Sequence, residues 1–502
     1  MMDMLANLAL GFQTAMSLSN LLYCLIGVFL GTAVGVLPGI GPIATIAMLL
    51  PITFGLPPVS ALIMLSGIYY GAQYGGSTTA ILINLPGESA SVVTALDGYR
   101  MARQGKAGLA LATAAIGSFI AGSVATVLVA LFAPPLAELA LHFGPAEYFS
   151  LMVLGLVASI VLASGSLLHA LAVVVVGLVL GLVGTDVNSG VSRYSLGFPQ
   201  LADGIGFVVI AMGMFGLAEI VANLENEATR TAAIKRVTGL LPSREDWGKI
   251  LGPIARGTVL GSALGILPGG GAILASFASY SLEKKLSKTP EQFGQGAIEG
   301  VAGPESANNA GAQTSFIPML TLGIPANPVM ALMIGALMIQ GIQPGPTIIT
   351  EQPTLFWGVV VSMWIGNVFL LILNLPLIGL WVRMVSVPYH FLYPAIMVFC
   401  AIGVFSISNT TFDVHLMALF GLLGYVFMKL GCEPTPLLLG FILGPPMEEY
   451  LRRAMVLSEG RADVLVREPL SAFLLTIAAL LLVSVLLPAV RKKREETFVS
   501  EG

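Results

Sequence analysis

The chain has 502 residues, of which 56% are hydrophobic and only 10% are charged, and its mean hydropathy is +0.90. This composition excludes a set of water-soluble domains and predicts a single polytopic membrane domain. The net charge of -4 and the lack of a basic patch with interleaved aromatic residues argue against nucleic acid as a partner. Cys24, Cys400 and Cys432 are far apart in mostly apolar surroundings, so we predict buried thiols and no disulfide or metal site.

The apolar segments predict membrane-spanning helices. They are continuous runs near the ~20 residues that cross a bilayer as a helix, and they lack the alternation of barrel strands. We therefore predict an all-α polytopic membrane protein with about 11–12 transmembrane spans. The candidate spans lie near residues 20–36, 57–84, 108–133, 146–164, 166–184, 203–223, 251–267, 314–340, 355–382, 387–407, 411–430 and 467–488.

Basic residues orient these spans, because loops rich in Lys and Arg face the cytoplasm. The clusters predicted to lie there are Arg100, Arg103 and Lys106; Arg230, Lys235, Arg236, Arg244 and Lys249; Lys284, Lys285 and Lys288; and the RKKR of the C-terminal tail. The first twenty residues contain no basic residue, so the N-terminus is predicted to lie outside.

One further basic region does not fit this arrangement. Arg452, Arg453, Arg461 and Arg467 precede the last candidate span. If this region and the C-terminal tail are both cytoplasmic, then either residues 434–447 form a re-entrant segment or another span is miscounted. The sequence leaves both alternatives open.

Glycine and proline interrupt the apolar pattern at two places that resemble each other. Residues 35–42 read GVLPGIGP, and residues 265–272 read GILPGGGA. When 30–41 is aligned with 260–271, eight of the twelve positions are identical. This similarity indicates an internal repeat.

A second match follows in the same order along the chain. Gly71-Ala72-Gln73 corresponds to Gly311-Ala312-Gln313 and, after a one-residue gap, Leu85-Pro86-Gly87 corresponds to Ile324-Pro325-Ala326. The first copy runs toward a basic loop and the second copy starts from one, so the two copies cross the membrane in opposite directions. We therefore predict inverted repeats with broken or re-entrant helices. The predicted division is a first transmembrane half at 1–223 (motifs 30–42 and 71–106), a cytoplasmic loop at 224–250, a second half at 251–488 (motifs 260–272 and 303–328) and a basic cytoplasmic tail at 489–502.

Broken helices of this kind are typical of secondary transporters, whose binding site lies near the bilayer midplane. A helix N-terminus offers free N–H groups and the positive end of the helix dipole, so it can hold an anion without a buried cation. Arg and Lys are almost absent from the candidate spans: only Arg256 and Lys429 lie inside the edges of a span, and both are close to a cytoplasmic end. We therefore expect helix ends and neutral donors to bind any anionic substrate.

Neutral hydrogen-bond donors cluster beside both breaks. They are Ser77, Thr78, Thr79 and Asn84 in the first half, and Ser306, Asn308, Asn309, Thr314 and Ser315 in the second. For each residue alone, a polar contact between helices is an equally good interpretation. The position of two clusters at two repeated breaks favours a binding site.

Acidic residues near the breaks are candidates for ion coupling, because an ionised group inside a membrane costs at least ~2.5 kcal/mol. The acids concerned are Glu88, Asp97, Glu299 and Glu305. Glu305 precedes the Asn308–Asn309 pair and is the best candidate for binding a cation or a proton. Asp97 is followed by Gly98, a pair that favours turns, so we predict that Asp97 lies in a loop.

At these motifs the chain resembles a known family. GVLPGIGP, YGGSTTAILINLPGESASVVTALDGYRMARQGKAG and PESANNAGAQTSFIPMLTLGIPANP look like the large membrane subunit of the tripartite tricarboxylate transporters (TctA-like), and the resemblance covers almost the whole chain. It implies a multi-pass permease of the bacterial inner membrane that imports citrate, other tricarboxylates or related organic carboxylates. It also implies two partners, a small membrane subunit and a periplasmic solute-binding protein.

The resemblance further implies symport with sodium or protons and no cofactor. The sequence contains no G-x-x-x-x-G-K-[ST] phosphate loop and no H-E-x-x-H or G-x-S-x-G motif, which argues against ATP use and against an enzyme. The residues carried over for substrate binding are Gly39, Gly41, Ser77, Thr78, Thr79, Asn84, Pro86, Gly269, Gly271, Asn308, Asn309 and Pro325, and those for cation coupling are Glu305, Asn308 and Asn309. The expected mechanism is alternating access; an ion or small-solute channel is the alternative.

Overall fold

The structure is a computed structural model that describes residues 2–37, 41–85, 87–163, 166–186, 188–225, 237, 239–267, 271–385 and 389–486. Across these ranges the regular structure is helical except for one short antiparallel pair of strands, β1 (Gly184–Thr185) and β2 (Ser192–Arg193). The expectation of an all-α membrane protein is confirmed.

The helices of the N-terminal half follow each other along the chain as α1 (Met2–Ala15), α2 (Leu18–Gly35), α3 (Pro42–Leu49), α4 (Pro58–Ile83), α5 (Val92–Arg103), α6 (Ala107–Ala140), α7 (Pro145–Leu162), α8 (Leu167–Gly181), α9 (Phe207–Ala211) and α10 (Ala218–Glu225). A π-helical turn, Met212–Leu217, connects α9 to α10. Short 3-10 turns lie at Leu50–Thr53, Ser89–Ser91 and Pro199–Leu201.

The C-terminal half contains α11 (Arg244–Gly265), α12 (Gly271–Leu286), a 3-10 turn (Pro290–Gln292), α13 (Glu299–Thr314), α14 (Phe316–Leu322), α15 (Pro328–Ile339), α16 (Ile348–Glu351), α17 (Pro353–Asn374), α18 (Ile378–Val385), α19 (Tyr389–Ser408), α20 (Thr411–Lys429), α21 (Thr435–Leu457), α22 (Val464–Arg467) and α23 (Pro469–Leu486). By length and composition, α2, α6, α7, α17 and α20 are able to cross a membrane, and shorter apolar helices accompany them. The predicted span at 314–340 is wrong as one helix, because α14 ends at Leu322 and α15 begins at Pro328.

The two glycine- and proline-rich segments each separate two helices, as predicted. Helix α2 ends before the first segment and α3 begins after it, and α11 and α12 flank the second segment in the same way. Arg256 of α11 forms a two-point ion pair with Glu283 of α12, with N···O distances of 2.8 and 2.6 Å. Arg256 lies 9 residues before the end of α11 and Glu283 lies 12 residues after the start of α12, so these two helices form an antiparallel hairpin.

The start of α11 is fixed by its own side chains. The Ser243 hydroxyl accepts the backbone N–H of Asp246 at 3.2 Å, and the Asp246 carboxylate accepts the backbone N–H of Ser243 at 2.9 Å. This reciprocal cap satisfies two of the free N–H groups at the helix end. The hydrogen bonds from Ser243 hold the pKa of the Asp246 carboxyl below its usual value.

Glycines bring α2 and α11, the helices that precede the two breaks, into direct contact with the backbones of α4 and α13. The contacts are Gly27 on Met64, Gly31 on Ile68 and Gly35 on Ala72 between α2 and α4, and Gly257 on Gly303, Gly261 on Ala307 and Gly265 on Gly311 between α11 and α13. At each of these glycines an added Cβ would lie 2.2–2.4 Å from a carbonyl oxygen. The residue numbers rise together, so α2 is parallel to α4 and α11 is parallel to α13, and the chain must return between them.

These contacts correct the register of the second sequence match by one residue. They make Ala72 equivalent to Gly311, and the same register pairs Asn84 with Gly323 without any gap. Asn84 (φ 58°) and Gly323 (φ 68°) both adopt the left-handed conformation and both follow the last turn of a helix. The predicted pairing of Gly71 with Gly311 is therefore wrong, because equivalent positions are set by which residue faces the glycine.

Helix α21 resolves the basic region that the sequence left open. It is one continuous helix, so the alternative of a re-entrant segment at 434–447 is wrong. It is parallel to α8, since Gly177 lies on Leu437 and Gly181 lies on Phe441. Its C-terminal end therefore lies at the same end of the molecule as the β1–β2 hairpin that follows α8.

Four of the arginines at this end, Arg193, Arg452, Arg453 and Arg467, have acidic partners. Arg452 contacts Glu448 at 2.6 Å and Asp186 at 3.3 Å, and Arg193 contacts Glu448 at 3.0 Å. Arg453 and Arg467 pair with Glu449 and Asp463 one helical turn away. The ion pairs Arg452–Asp186 and Arg193–Glu448 therefore join the end of α21 to the β1–β2 hairpin.

Replacement of Gly261 by Ala is expected to destabilise the protein by about 1–3 kcal/mol, because the new Cβ would lie 2.2 Å from the carbonyl oxygen of Ala307. Thermal unfolding of the purified protein in detergent measures this change. Gly248→Ala is the matched control on the same helix, where no heavy atom lies within 4 Å of the added Cβ, and it is expected to raise stability by about 1 kcal/mol or less. Equal melting temperatures for the two variants would contradict the backbone contact.

Candidate functional site

Glu305 lies at the centre of the molecule, in a helix made mostly of small and amide side chains. Every residue of α13 from Gly300 to Thr314 is buried, and Glu305 is 1% exposed. Its carboxylate accepts hydrogen bonds from the Ser77 hydroxyl of α4, at 2.7 Å, and from the Thr94 hydroxyl of α5. Helices from both halves of the chain therefore converge on one carboxylate.

A small cavity lies beside Glu305. Its volume is about 10 Å³, roughly the space in which one water-sized sphere fits. Its polar lining residues are Tyr74, Ser77, Thr78, Ser118, Glu305 and Asn374. The Tyr74 hydroxyl and the Asn374 Oδ1 atom are buried and have no hydrogen-bond partner among the described residues. Such unsatisfied groups are rare in folded proteins and are available to a ligand.

The two asparagines of the PESANN motif have separate partners. Asn308 Nδ2 donates to Glu88 Oε1 at 2.6 Å, and Asn308 Oδ1 accepts from Gln73 Nε2 at 3.3 Å. Asn309 Nδ2 donates to the Ser118 hydroxyl at 2.7 Å. Both amides thus connect α13 to the N-terminal half, next to Glu305.

A second contact between the halves uses equivalent positions. The Nδ2 atom of Asn327 donates to the Tyr69 hydroxyl at 3.4 Å. In the corrected register, Asn327 is equivalent to Glu88, and Tyr69 is equivalent to Asn308. Glu88 and Asn327 each follow the break in their own half. Each therefore contacts the equivalent position on the long helix of the other half, which is Asn308 on α13 for Glu88 and Tyr69 on α4 for Asn327.

The tips of the two broken segments lie against these breaks. An added Cβ at Gly41, which precedes α3, would lie 3.7 Å from the carbonyl oxygen of Gly87. An added Cβ at Gly271, the first residue of α12, would lie 3.8 Å from Asn327 Nδ2. Of the predicted substrate-binding residues, Gly41 and Gly271 are thus close to the contacts that join the halves.

A third carboxylate lies at the first tip. The Glu219 side chain on α10 faces Gly41, where an added Cβ would lie 3.8 Å from Glu219 Oε1. Glu219 follows the π-helical turn Met212–Leu217. The N-terminus of α3 therefore holds a carboxylate of the protein itself, which is the chemistry expected of this helix end.

The remaining predicted site residues differ in their roles. The Thr78 and Thr79 hydroxyls donate to backbone carbonyls of their own helix, at 3.1 and 2.9 Å, as residues that stabilise helix packing do. Asn84 is exposed and ends α4, and Pro325 is buried in the second break. Predicted residues that lie outside the described ranges are Gly39, Pro86 and Gly269.

The expectation that Asp97 lies in a loop is wrong. Asp97 is on α5 and is 0% exposed. Its Oδ1 atom accepts the backbone N–H groups of Gly294, Gly296 and Ala297 at 2.7–2.9 Å, and its Oδ2 atom accepts the Tyr280 hydroxyl at 2.9 Å. The carboxylate fixes the chain that leads into α13. Local turn preferences could not predict these hydrogen bonds, because the partners are far from Asp97 in the sequence.

Glu88 and Glu305 form no ion pair with any basic residue in the described part of the chain. Hydroxyl and amide donors stabilise the two carboxylates, but a buried negative charge without a cation costs several kcal/mol. The arrangement is therefore suited to bind a proton or a metal cation.

Some residues of this site were not selected from the sequence. Gln73 and Thr94 belong to the conspicuous motifs, and the repeated Gly-Ala-Gln triplet was the available signal for Gln73. Ser118 on α6 and Asn374 on α17 lie in ordinary apolar segments. Nothing in their local sequence marks them, and only the packing of α6 and α17 around α13 brings them to Glu305.

Apolar membrane-spanning helices that enclose buried polar groups at paired helix breaks define a membrane transport protein. The tripartite tricarboxylate transporter TctA family matches residues 21–439. The chain belongs to this family, as the large membrane subunit of a tripartite tricarboxylate transporter, and it is a multi-pass transporter subunit and not an enzyme.

Similar proteins occur in Agrobacterium vitis. An uncharacterized 52.8 kDa protein from the TAR-I ttuC' 3' region is 63% identical over 501 residues, which cover 100% of both chains. An uncharacterized protein from the TAR-II ttuC' 3' region is 63% identical over 241 residues, which cover 48% of this chain and 100% of that protein. No solved structure matches the chain.

Replacement of Asp97 by Ala is expected to destabilise the protein by about 3 kcal/mol or more, because buried backbone N–H groups and the Tyr280 hydroxyl lose their acceptor. Asp97→Asn keeps an acceptor oxygen without the charge and is expected to cost about half as much. Thermal unfolding in detergent measures both, with the exposed Asp203→Asn as the control. If Asp97→Ala melts like the control, the carboxylate does not hold the segment before α13.

Proposed function

We propose that the protein imports tricarboxylates or related organic carboxylates across the bacterial inner membrane, as the permease of a binding-protein-dependent secondary transporter driven by a sodium or proton gradient. The observation that carries this proposal is the pair of acids beside the helix breaks, the buried Glu305 and the half-buried Glu88, neither of which has an ion pair among the described residues. A group that binds a cation in one step and releases it in another requires such a position.

The substrate carboxylates bind at the two tips. Helices α3 and α12 begin there, and their N-terminal N–H groups favour negative charge. The Glu219 carboxylate, which lies beside Gly41, supports this assignment for the first tip. The other proposed substrate-binding residues are Gly39, Ser77, Thr78, Thr79, Asn84, Pro86, Gly269, Gly271, Asn308, Asn309 and Pro325.

The coupling ion binds at Glu305, with Asn308 and Asn309 nearby. The Ser77 and Thr94 hydroxyls already supply two oxygens around the carboxylate, and the cavity beside it has room for one small ion. A proton or a sodium ion at this place neutralises Glu305. Neutralisation removes most of the cost of moving the loaded site through the membrane, which couples uptake to the gradient.

The two halves are inverted repeats, in our proposal. The contacts Glu88–Asn308 and Asn327–Tyr69 exchange equivalent positions between the halves, as contacts across a two-fold axis do. The basic residues place the α11–α12 hairpin on the cytoplasmic side, and the α2–α3 segment then opens to the outside. A two-fold arrangement around one site supports alternating access.

The same orientation places the β1–β2 hairpin and the end of α21 in the periplasm. Arg452 and Arg193 then lie outside, where their acidic partners neutralise them, and the RKKR tail is cytoplasmic. The proposed partners are a periplasmic solute-binding protein, which delivers the carboxylate to this outer face and sets most of its specificity, and a small membrane subunit.

Uptake of radiolabelled carboxylates into proteoliposomes tests this function. With the small subunit and the binding protein present, and a sodium or proton gradient imposed, we expect accumulation above equilibrium. Omission of the binding protein or collapse of the gradient abolishes it. Downhill flux that needs neither would support the alternative of a channel, which the concentration of polar groups at two breaks disfavours.

Replacement of Glu305 by Gln is expected to lower uphill accumulation by about tenfold or more, because the amide cannot bind a proton and binds a cation weakly. Substrate exchange across the membrane, which needs no gradient, is expected to persist. Glu291→Gln, an exposed acid in the turn before α13, is the control and should transport like the wild type. Full accumulation by Glu305→Gln would rule out Glu305 as the coupling group.

A further inference from the structure

Asn374 brings an unused oxygen to the wall of the cavity beside Glu305. It lies at the end of α17, is 4% exposed and lines this cavity. Its Nδ2 atom donates to the carbonyl oxygen of Leu370, one turn earlier, at 2.9 Å. A reversed amide would place two oxygen atoms against each other, so this hydrogen bond fixes which end of the amide is free. The free end is Oδ1, which has no hydrogen-bond partner among the described residues.

Tyr74 on α4 is a second lining residue with an unused polar atom. It is 4% exposed, and its hydroxyl has no partner in the part of the chain that the structure describes. The Ser77 hydroxyl donates to Glu305 at 2.7 Å, and the Thr78 hydroxyl donates to a carbonyl oxygen of its own helix at 3.1 Å. Each of these hydroxyls keeps free lone pairs on its oxygen. The cavity is therefore surrounded by oxygen atoms that still accept a ligand.

The charge and size of the cavity exclude a carboxylate as its occupant. Glu305 already lines the cavity, and none of the described lining residues is Lys, Arg or His. A second negative charge would be repelled there without a compensating cation. The volume of about 10 Å³ holds roughly one water-sized sphere, which is far less than an organic carboxylate occupies. The substrate carboxylates are thus left to the helix tips.

The same features favour a metal ion over a proton as the occupant. A proton on Glu305 needs one acceptor and no space, whereas a metal ion needs a space surrounded by several oxygen atoms, which this cavity provides. Glu305 is the only carboxylate among the described residues that line it. A divalent cation would leave an excess positive charge, and it usually takes further carboxylates or several waters. One carboxylate with neutral oxygens suits a monovalent cation.

We propose that Asn374 Oδ1 and the Tyr74 hydroxyl, together with Glu305, bind a monovalent metal cation in this cavity. This inference rests on the proposed function and deepens it, because it assigns a metal ion to the coupling site and adds two ligands from α4 and α17. Tyr74 belongs to the first half of the chain, and Glu305 and Asn374 belong to the second. The bound ion therefore connects the two halves that move against each other in alternating access.

Two substitutions of Asn374 separate a ligand oxygen from a structural role. Asn374→Leu and Asn374→Asp both lose the Nδ2 atom that bonds to Leu370, but only Asn374→Asp keeps an oxygen atom for a cation. Tyr74→Phe removes the second oxygen alone. Tyr70→Phe is its matched control, because Tyr70 lies one turn earlier on α4, is 1% exposed and does not line the cavity. The Tyr70 hydroxyl is also without a partner among the described residues.

The measurement is the melting temperature of the protein purified with its small membrane subunit, without carboxylate, in sodium chloride and in choline chloride of equal ionic strength. Sodium that binds the folded protein raises this temperature with concentration, which gives an apparent Kd. We expect Asn374→Leu to raise the Kd by about tenfold or more and Tyr74→Phe by about threefold or more. Asn374→Asp is expected to bind sodium as tightly as the wild type or more tightly, and Tyr70→Phe to stay within about twofold.

Equal weakening of sodium binding by Asn374→Leu and Asn374→Asp would overturn the site, because a purely structural role predicts it. If Asn374→Leu does not fold, equal Kd values for Tyr74→Phe and Tyr70→Phe would overturn it instead. A wild type that sodium does not stabilise would also reject the site, and uptake driven by a proton gradient alone would then leave the proposed function intact. The expected pattern of sodium binding without any gradient-driven uptake would reject the proposed function and keep the site.

Discussion

Direct contact between helix backbones holds the centre of this protein together, and the site depends on it. Helix–helix association in a membrane has no hydrophobic driving force, so close packing and hydrogen bonds must supply it. Three glycines of α2 lie on α4 and three of α11 lie on α13, each without an intervening side chain. Beyond the last glycine of each series, the tip of the broken segment lies beside a residue of the following break: Gly41 beside Gly87, and Gly271 beside Asn327. Larger residues would hold the tips away from the contacts between the halves.

The buried acids show how the same side-chain chemistry serves different purposes. Asp97 accepts three backbone N–H groups and one hydroxyl, so its charge is fully solvated by the protein and its partners stay fixed. Among the described residues, Glu305 accepts hydrogen bonds from side-chain hydroxyls and from no backbone N–H group, and hydroxyls rotate and exchange partners easily. A structural carboxylate needs many rigid donors, whereas a carboxylate that binds and releases an ion needs few and adaptable ones.

Much of this arrangement could be predicted from the sequence, because glycine and proline mark helix breaks directly. The two broken segments and the burial of Glu305 agree with such local signals, while the inverted repeat and the coupling role of Glu305 stay predictions. The surroundings of Glu305 could not be predicted in full, since Ser118 and Asn374, which line the cavity beside it, come from apolar helices whose packing is decided by the whole fold. The pairing of Gly71 with Gly311 was wrong by one residue, because it was based on identical residues in the sequence and not on the contacts between helices. The prediction that Asp97 lies in a loop was wrong for a related reason: the hydrogen bonds of its carboxylate reach residues far along the chain.

The π-helical turn Met212–Leu217 has a consequence for how the first tip could arise. A π turn contains one residue more than the α-helical turn it replaces, and each residue of a helix turns the chain by about 100°. The extra residue therefore rotates Glu219 relative to α9, onto the side where it meets Gly41. Insertion or deletion of one codon is enough to bring a carboxylate to this helix end or to take it away. Evolution can thus add or remove a negative charge at this helix end in a single step, while the faces of α9 that pack elsewhere keep their positions.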